Sequence, residues 1–187
     1  VDVVGRKLCE FGGLRAQNAA LAPAPLMVKI DPAAPGDVVQ ELASAQRAAE
    51  LGFATAAREL YTRLLARDEL AAGVRNRAAL GLAMVELADG QTEAAEAALA
   101  HGAELFSPQT RLRRALIALQ RRDGTTAAPL VDALRPEELP AEEAAWVFVA
   151  QAMLAESRGQ YDRAQLAYAQ AESRAVSELA RAPLLLA

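Results

Sequence analysis

Ala152-Met153-Leu154-Ala155-Glu156-Ser157-Arg158-Gly159-Gln160-Tyr161-Asp162-Arg163-Ala164-Gln165-Leu166-Ala167-Tyr168-Ala169-Gln170-Ala171 is the stretch on which the fold turns. Two alanine-rich runs flank one glycine, and neither run contains a proline. Alanine is the strongest helix former and glycine one of the weakest, so the stretch reads as helix, tight turn, helix. Small residues at Ala152, Ala164 and Ala171 let two helices approach closely, and Tyr168 fills the space beside them.

The same arrangement recurs upstream. Gly52, Gly90 and Gly124 also sit between helical runs, and the four glycines are separated by 38, 34 and 35 residues. Leu82-Ala83, Ala95, Leu99 and Gly102 accompany Gly90, with Pro108 near the expected repeat end. Ala45, Ala57, Tyr61 and Leu64 accompany Gly52. The unit around Gly124 is poorer. Pro129 stands where its second helix should carry an alanine, and Asp123-Gly124-Thr125-Thr126 replaces the aromatic-bearing turn. One helical hairpin cannot bury its apolar face alone, so such units are expected to stack. A closed bundle of eight helices with accidental spacing is the other arrangement compatible with these runs. Asp37 and Ser107-Pro108 are expected helix starts, and Pro136 and Pro140 bracket a connection ahead of Glu142 and Glu143.

Composition supports the helical reading. Of 187 residues, 53% are apolar but only 4% aromatic, which argues for closely packed helices and against a β-sandwich. The formal charge of −4 makes nucleic acid and anionic membrane poor partners. No run of 18 or more apolar residues exists, so no span is expected. A single cysteine, Cys9, excludes an internal disulfide and a Cys-based zinc site. His101 is the only histidine, so any Ser-His-Asp or Cys-His centre would depend on it, and it falls late in a helix where the C-terminal end favours it. No glycine-rich loop is followed by Lys-Ser or Lys-Thr. The pairs Glu137-Glu138 and Glu142-Glu143 read as solvated or capping groups. No catalytic set, cofactor or metal is therefore assigned.

Two regions are expected. Residues 1–36 form a Pro/Ala-rich extended arm containing the apolar run Leu26-Met27-Val28-Lys29-Ile30. Residues 37–187 form the helical repeat domain with its C-terminal helix. Leu184-Leu185-Leu186 reads as a stack face awaiting further chain or another copy, so self-association is expected as an option. Frequent arginine, rare lysine and abundant alanine suggest a GC-rich bacterial coding sequence and leave cytoplasm and periplasm equally open.

On the residues quoted around Gly159, Gly90 and Gly52, the chain resembles the tetratricopeptide repeat family over roughly residues 37–175. The resemblance implies an all-α, right-handed superhelical solenoid of antiparallel helix-turn-helix repeats. It also implies that the first helix of each hairpin lines a concave surface where partners lie. Gln46, Glu50, Arg77, Leu80, Met84 and Leu87 then face inward, followed by Arg111, Arg114, Ala118, Arg121 and Arg122, and by Trp146, Val149 and Met153. The expected partner-binding set is Arg77, Met84, Arg111, Arg114, Arg121, Trp146 and Met153. Arginines three or four apart form one stripe if helical, and their planar forks suit carboxylates. Tryptophan and methionine adapt to apolar side chains. The implied activity is a non-catalytic scaffold that takes a protein or peptide with acidic groups in a basic and apolar groove. The alternative is an oligomerisation or recruitment domain of a larger protein. The family's carboxylate clamp uses a Lys and Asn set, whereas this chain has only Lys7 and Lys29, both outside the repeats, so that mechanism is not supported. Single-stranded nucleic acid would need aromatics interleaved with the arginines, and only Trp146 is available.

Overall fold

One backbone device ends four of the helices, and it sets the fold. The computed structural model describes residues 37–181. The side chains of Glu142 and of residues 175–181 lie outside that description, as do residues 1–36 and 182–187. The proline-rich arm, Cys9, Lys7, Lys29 and the three terminal leucines therefore fall outside the described residues. Among those described there are eight α-helices, one 3-10 turn and no strand. They are α1 (Val38–Glu50), α2 (Ala54–Leu65), α3 (Ala72–Ala88), α4 (Thr92–Ala100), α5 (Pro108–Gln120), α6 (Gly124–Asp132), the 3-10 turn Pro136–Glu138, α7 (Ala141–Ser157) and α8 (Tyr161–Arg181). Asp37 caps α1 by accepting from the Val39 amide at 3.0 Å. Ser107 caps α5 by accepting from the Thr110 amide at 3.2 Å, with Pro108 in the first turn.

Between α1 and α2 the chain reverses through Leu51, Gly52 and Phe53. The Phe53 amide donates back to Ala48 O at 2.9 Å and the Gly52 amide to Ala49 O at 3.1 Å, closing the helix as a Schellman motif. The residue at the centre must be left-handed, and Gly52 has φ 79°. The same six-residue closure joins Gln91 to Glu86 at 2.8 Å, Asp123 to Ala118 at 2.9 Å and Gln160 to Ala155 at 2.9 Å. Its left-handed residue is Gly90 (φ 77°), Arg122 (φ 60°) and Gly159 (φ 70°) in turn.

This corrects the repeat register. Gly124 is not the turn residue of the third hairpin; it is the first residue of α6, and Arg122 holds the left-handed position. Counted from Arg122, the third unit carries the second-helix alanine it had been expected to lack. In every hairpin an alanine lies seven residues before the turn residue and another five after it: Ala45 and Ala57, Ala83 and Ala95, Ala115 and Ala127, Ala152 and Ala164. All eight are buried. A small side chain lets paired helices approach closely, which suits alanine at both positions of all four hairpins. Pro129 is two residues beyond its supposed place and lies inside α6.

The chain divides after Ala103 into two compact units. In the first, α1 pairs with α2 and α3 with α4, and α3 also packs against α1 and α2. The buried Tyr61 ring of α2 lies on Gly81 of α3, where a Cβ would stand 2.5 Å from the tyrosine Oη. Arg67 pairs with Glu41 of α1 at 2.6 Å, and Arg58 of α2 pairs with Glu86 of α3 at 2.7 Å and with Asp89. Hydrogen bonds with Glu86, then with Asp89, raise the Arg58 pKa well above its ordinary value.

In the second unit α5 pairs with α6 and α7 with α8, and α7 also packs against α5 and α6. These are the same neighbours that α3 has in the first unit. The 3-10 turn packs against α7 as well. Between α7 and α8 the alanines Ala152, Ala155, Ala164 and Ala167 form a cluster with Tyr168 against it. The Tyr168 hydroxyl donates to Glu156 at 3.1 Å, and Arg174 lies 5.3 Å from the centroid of the Phe148 ring.

Candidate partner surface

The expected contact residues belong to α3 in one unit and to α5 and α7 in the other. On α3, Arg77 is exposed and its Nε donates to Gly73 O one turn back at 3.3 Å. Met84, seven residues along the same face, is half-buried. Leu80 and Leu87, also expected inward, are 4% and 0% exposed and belong to the core. The accessible part of α3 therefore includes exposed Arg77 and half-buried Met84. On α1, Gln46 and Glu50 are exposed.

On α5, Arg111 and Arg114 are half-buried. Arg111 donates to Ala133 O just past α6, and Arg114 donates to Leu105 O, both at 3.3 Å. The expected arginine stripe does not continue beyond them. Ala118 is buried at 4% exposure, and α5 ends at Gln120, so Arg121 is its C-cap and Arg122 is in the left-handed turn. A helical stripe requires helical backbone, which Arg122 does not have. On α7, Trp146 is half-buried, whereas Val149 and Met153 are buried at 0% and 4%. Met153 therefore serves the core of its unit and is not an accessible contact.

Backbone carbonyls explain much of the arginine content. Arg75 of α3 donates to Arg67 O at 2.9 Å, Asp68 O at 3.2 Å and Leu65 O at 3.4 Å, satisfying the end of α2. Arg135 donates to Asp132 O and Leu134 O, both at 2.9 Å, at the end of α6. The last carbonyls of a helix lack intrahelical partners and carry partial negative charge, so a guanidinium satisfies both needs.

Sequence reasoning missed Arg113. It is 5% exposed and pairs with Glu143 of α7 at 3.2 Å. The Arg113 Nε and Nη1 and the Glu143 Oε2 are buried with no hydrogen-bond partner in the structure. A signal existed: Ile117, one turn on from Arg113, marks a second apolar strip on α5 beside Leu112, Ala115, Leu116 and Leu119. Arg113 lies in that strip.

Asp123 combines two roles. It completes the closure of α5 and caps α6, accepting from the Thr126 amide at 3.0 Å. Hydrogen bonds from the Thr126 side chain and then its backbone hold the Asp123 carboxyl below its ordinary value. Phe53 and Gln91 hold the corresponding cap positions in the first unit without a side-chain hydrogen bond, and Phe53 is 62% exposed. His101 is the exposed C-cap of α4. Among the described residues, no group of three His, Cys, Asp or Glu side chains is placed to hold a metal ion. No described helix is long and apolar enough to cross a membrane. The chain matches no family model, and no curated protein or solved structure matches it.

Proposed function

We propose that this chain is a non-catalytic scaffold of tetratricopeptide-like hairpins, units of a right-handed superhelical solenoid, that binds a peptide or protein segment with acidic groups. The observation that carries the reading is the fourfold alanine pair around one reversing turn, together with the packing of α3 and α7 against both helices of the preceding hairpin. Units that bury their faces only against neighbours form open arrays, and open arrays bind along their surfaces. Arg77 and Met84 are the contacts offered by the first unit; Arg111, Arg114, Arg121 and Trp146 are those offered by the second. Arginine supplies forked donors to carboxylates, and Trp146 supplies apolar area.

Selection of displayed random peptides on the purified chain tests this. The expected result is a family of acidic peptides with interspersed apolar residues. Their affinity falls at least about tenfold, roughly 1.4 kcal/mol, in Arg77→Glu or Arg111→Glu and in Trp146→Ala. Selection without a sequence preference, or binders unaffected by all three changes, refutes the reading.

A further inference from the structure

Helix α6 differs from every other second helix of a hairpin in how weakly its own residues hold it. It begins at Gly124, continues with the β-branched pair Thr125-Thr126 and carries Pro129 at its sixth position. Proline has no amide to donate, so the bond that would return to Thr125 O is missing, and its ring crowds the preceding turn. Only Ala127 and Val131 are buried within the helix, whereas α4, of the same nine-residue length, buries Thr92, Ala95, Ala98 and Leu99. The turn leading into α6 requires a left-handed residue and has Arg122 there. The Asp123 cap favours the helix but acts on its first turn only. α6 packs on both α5 and α7, but α5 and α7 also pack directly against each other, and α7 packs along α8, so those contacts remain when α6 leaves.

We propose that α6 is an opening element: it unfolds as one piece while α5, α7 and α8 keep their packing, and it bares the strips of α5 and α7 that it covers. Elements with few buried contacts and poor local hydrogen bonding open at a fraction of the global free energy.

Native-state hydrogen exchange of the full chain across a urea series tests this. The α6 amides are expected to exchange at least about 100-fold faster than the core amides of α7, with a much weaker urea dependence because little surface is exposed. Tyr168→Ala removes the ring packed on the α7–α8 alanine cluster. It should speed exchange in α7 and α8 and leave α6 rates unchanged. Pro129→Ala restores the missing amide and should slow α6 exchange by about 100-fold. The proposal is overturned if α6 and α7 share one rate and one urea slope, or if Tyr168→Ala speeds α6 in step with α7. Should Tyr168→Ala fail to fold, the urea slopes of the unaltered chain decide alone.

Discussion

Replacing Arg122 by glycine should stabilise the second unit. Arg122 has φ 60°, where the Cβ of an L-residue crowds the following carbonyl at a cost of about 1–2 kcal/mol. Glycine removes that cost but gains freedom in the unfolded chain, which takes back about 0.5–1 kcal/mol. The net expectation is roughly 0.5–1 kcal/mol in favour of Arg122→Gly. The arginine side chain makes interactions of its own, so Arg122→Ala is the necessary partner experiment. Alanine deletes the side chain but keeps the Cβ, and the difference between the two variants isolates the backbone contribution. Arg122→Gly should exceed Arg122→Ala by about 1 kcal/mol. Urea denaturation reads this as a higher midpoint at an unchanged slope. The reciprocal changes Gly52→Ala and Gly159→Ala meet no neighbouring atom within 4 Å, so their expected loss of about 1 kcal/mol is strain alone. Equal midpoints for the alanine and glycine variants at position 122 would refute the argument that this turn repeats the geometry of the other three.

Phe53→Asp adds a carboxylate at an uncapped helix start and removes a largely exposed ring, so it should raise stability by about 1 kcal/mol in a urea titration. Gly81→Ala improves intrinsic helix propensity by about 1 kcal/mol, yet its methyl meets the buried Tyr61 ring; overpacking of about 1–3 kcal/mol should win, and Tyr61→Leu should restore the loss. Arg113→Met alone should destabilise by about 3–5 kcal/mol because it strands a buried carboxylate, whereas Arg113→Met combined with Glu143→Leu should fold about as stably as the parent. The Asp123 carboxyl has a folded pKa below its unfolded one, so its contribution is complete above the unfolded value of about 4 and is lost as pH falls through the folded value. The acid limb of a stability–pH profile should therefore flatten in Asp123→Asn, and an unchanged limb would contradict the capping role.

The helices and three of the four turns were legible because glycine in a left-handed turn is a strong single-residue signal. The third turn was misread for the same reason. The reading followed glycine to Gly124, but the Schellman closure asks for a left-handed backbone, and Arg122 adopts it at a cost. The less conspicuous signal was more reliable. Alanine pairs twelve residues apart mark where two helices touch, and Ala115 with Ala127 fixes the third register without any glycine. Partner residues were less legible, because the helix face an arginine occupies does not show which carbonyls or carboxylates it can reach. Arg75, Arg111, Arg114 and Arg135 all donate to backbone carbonyls at or beyond helix ends. A helix-rich chain with short connections exposes many such carbonyls, and a long forked side chain is suited to them before any partner arrives. Arg113 was overlooked for the opposite reason: it is a charged residue in an apolar register, and Glu143 on the neighbouring helix gives it a partner that no local pattern reveals. Arginine-rich helix faces therefore have to be weighed first against the carbonyl ends and carboxylates within reach. Among the expected contacts, exposed Arg77 of α3 is the better probe of partner binding, because its Nε hydrogen bond stays within its own helix, to Gly73 O.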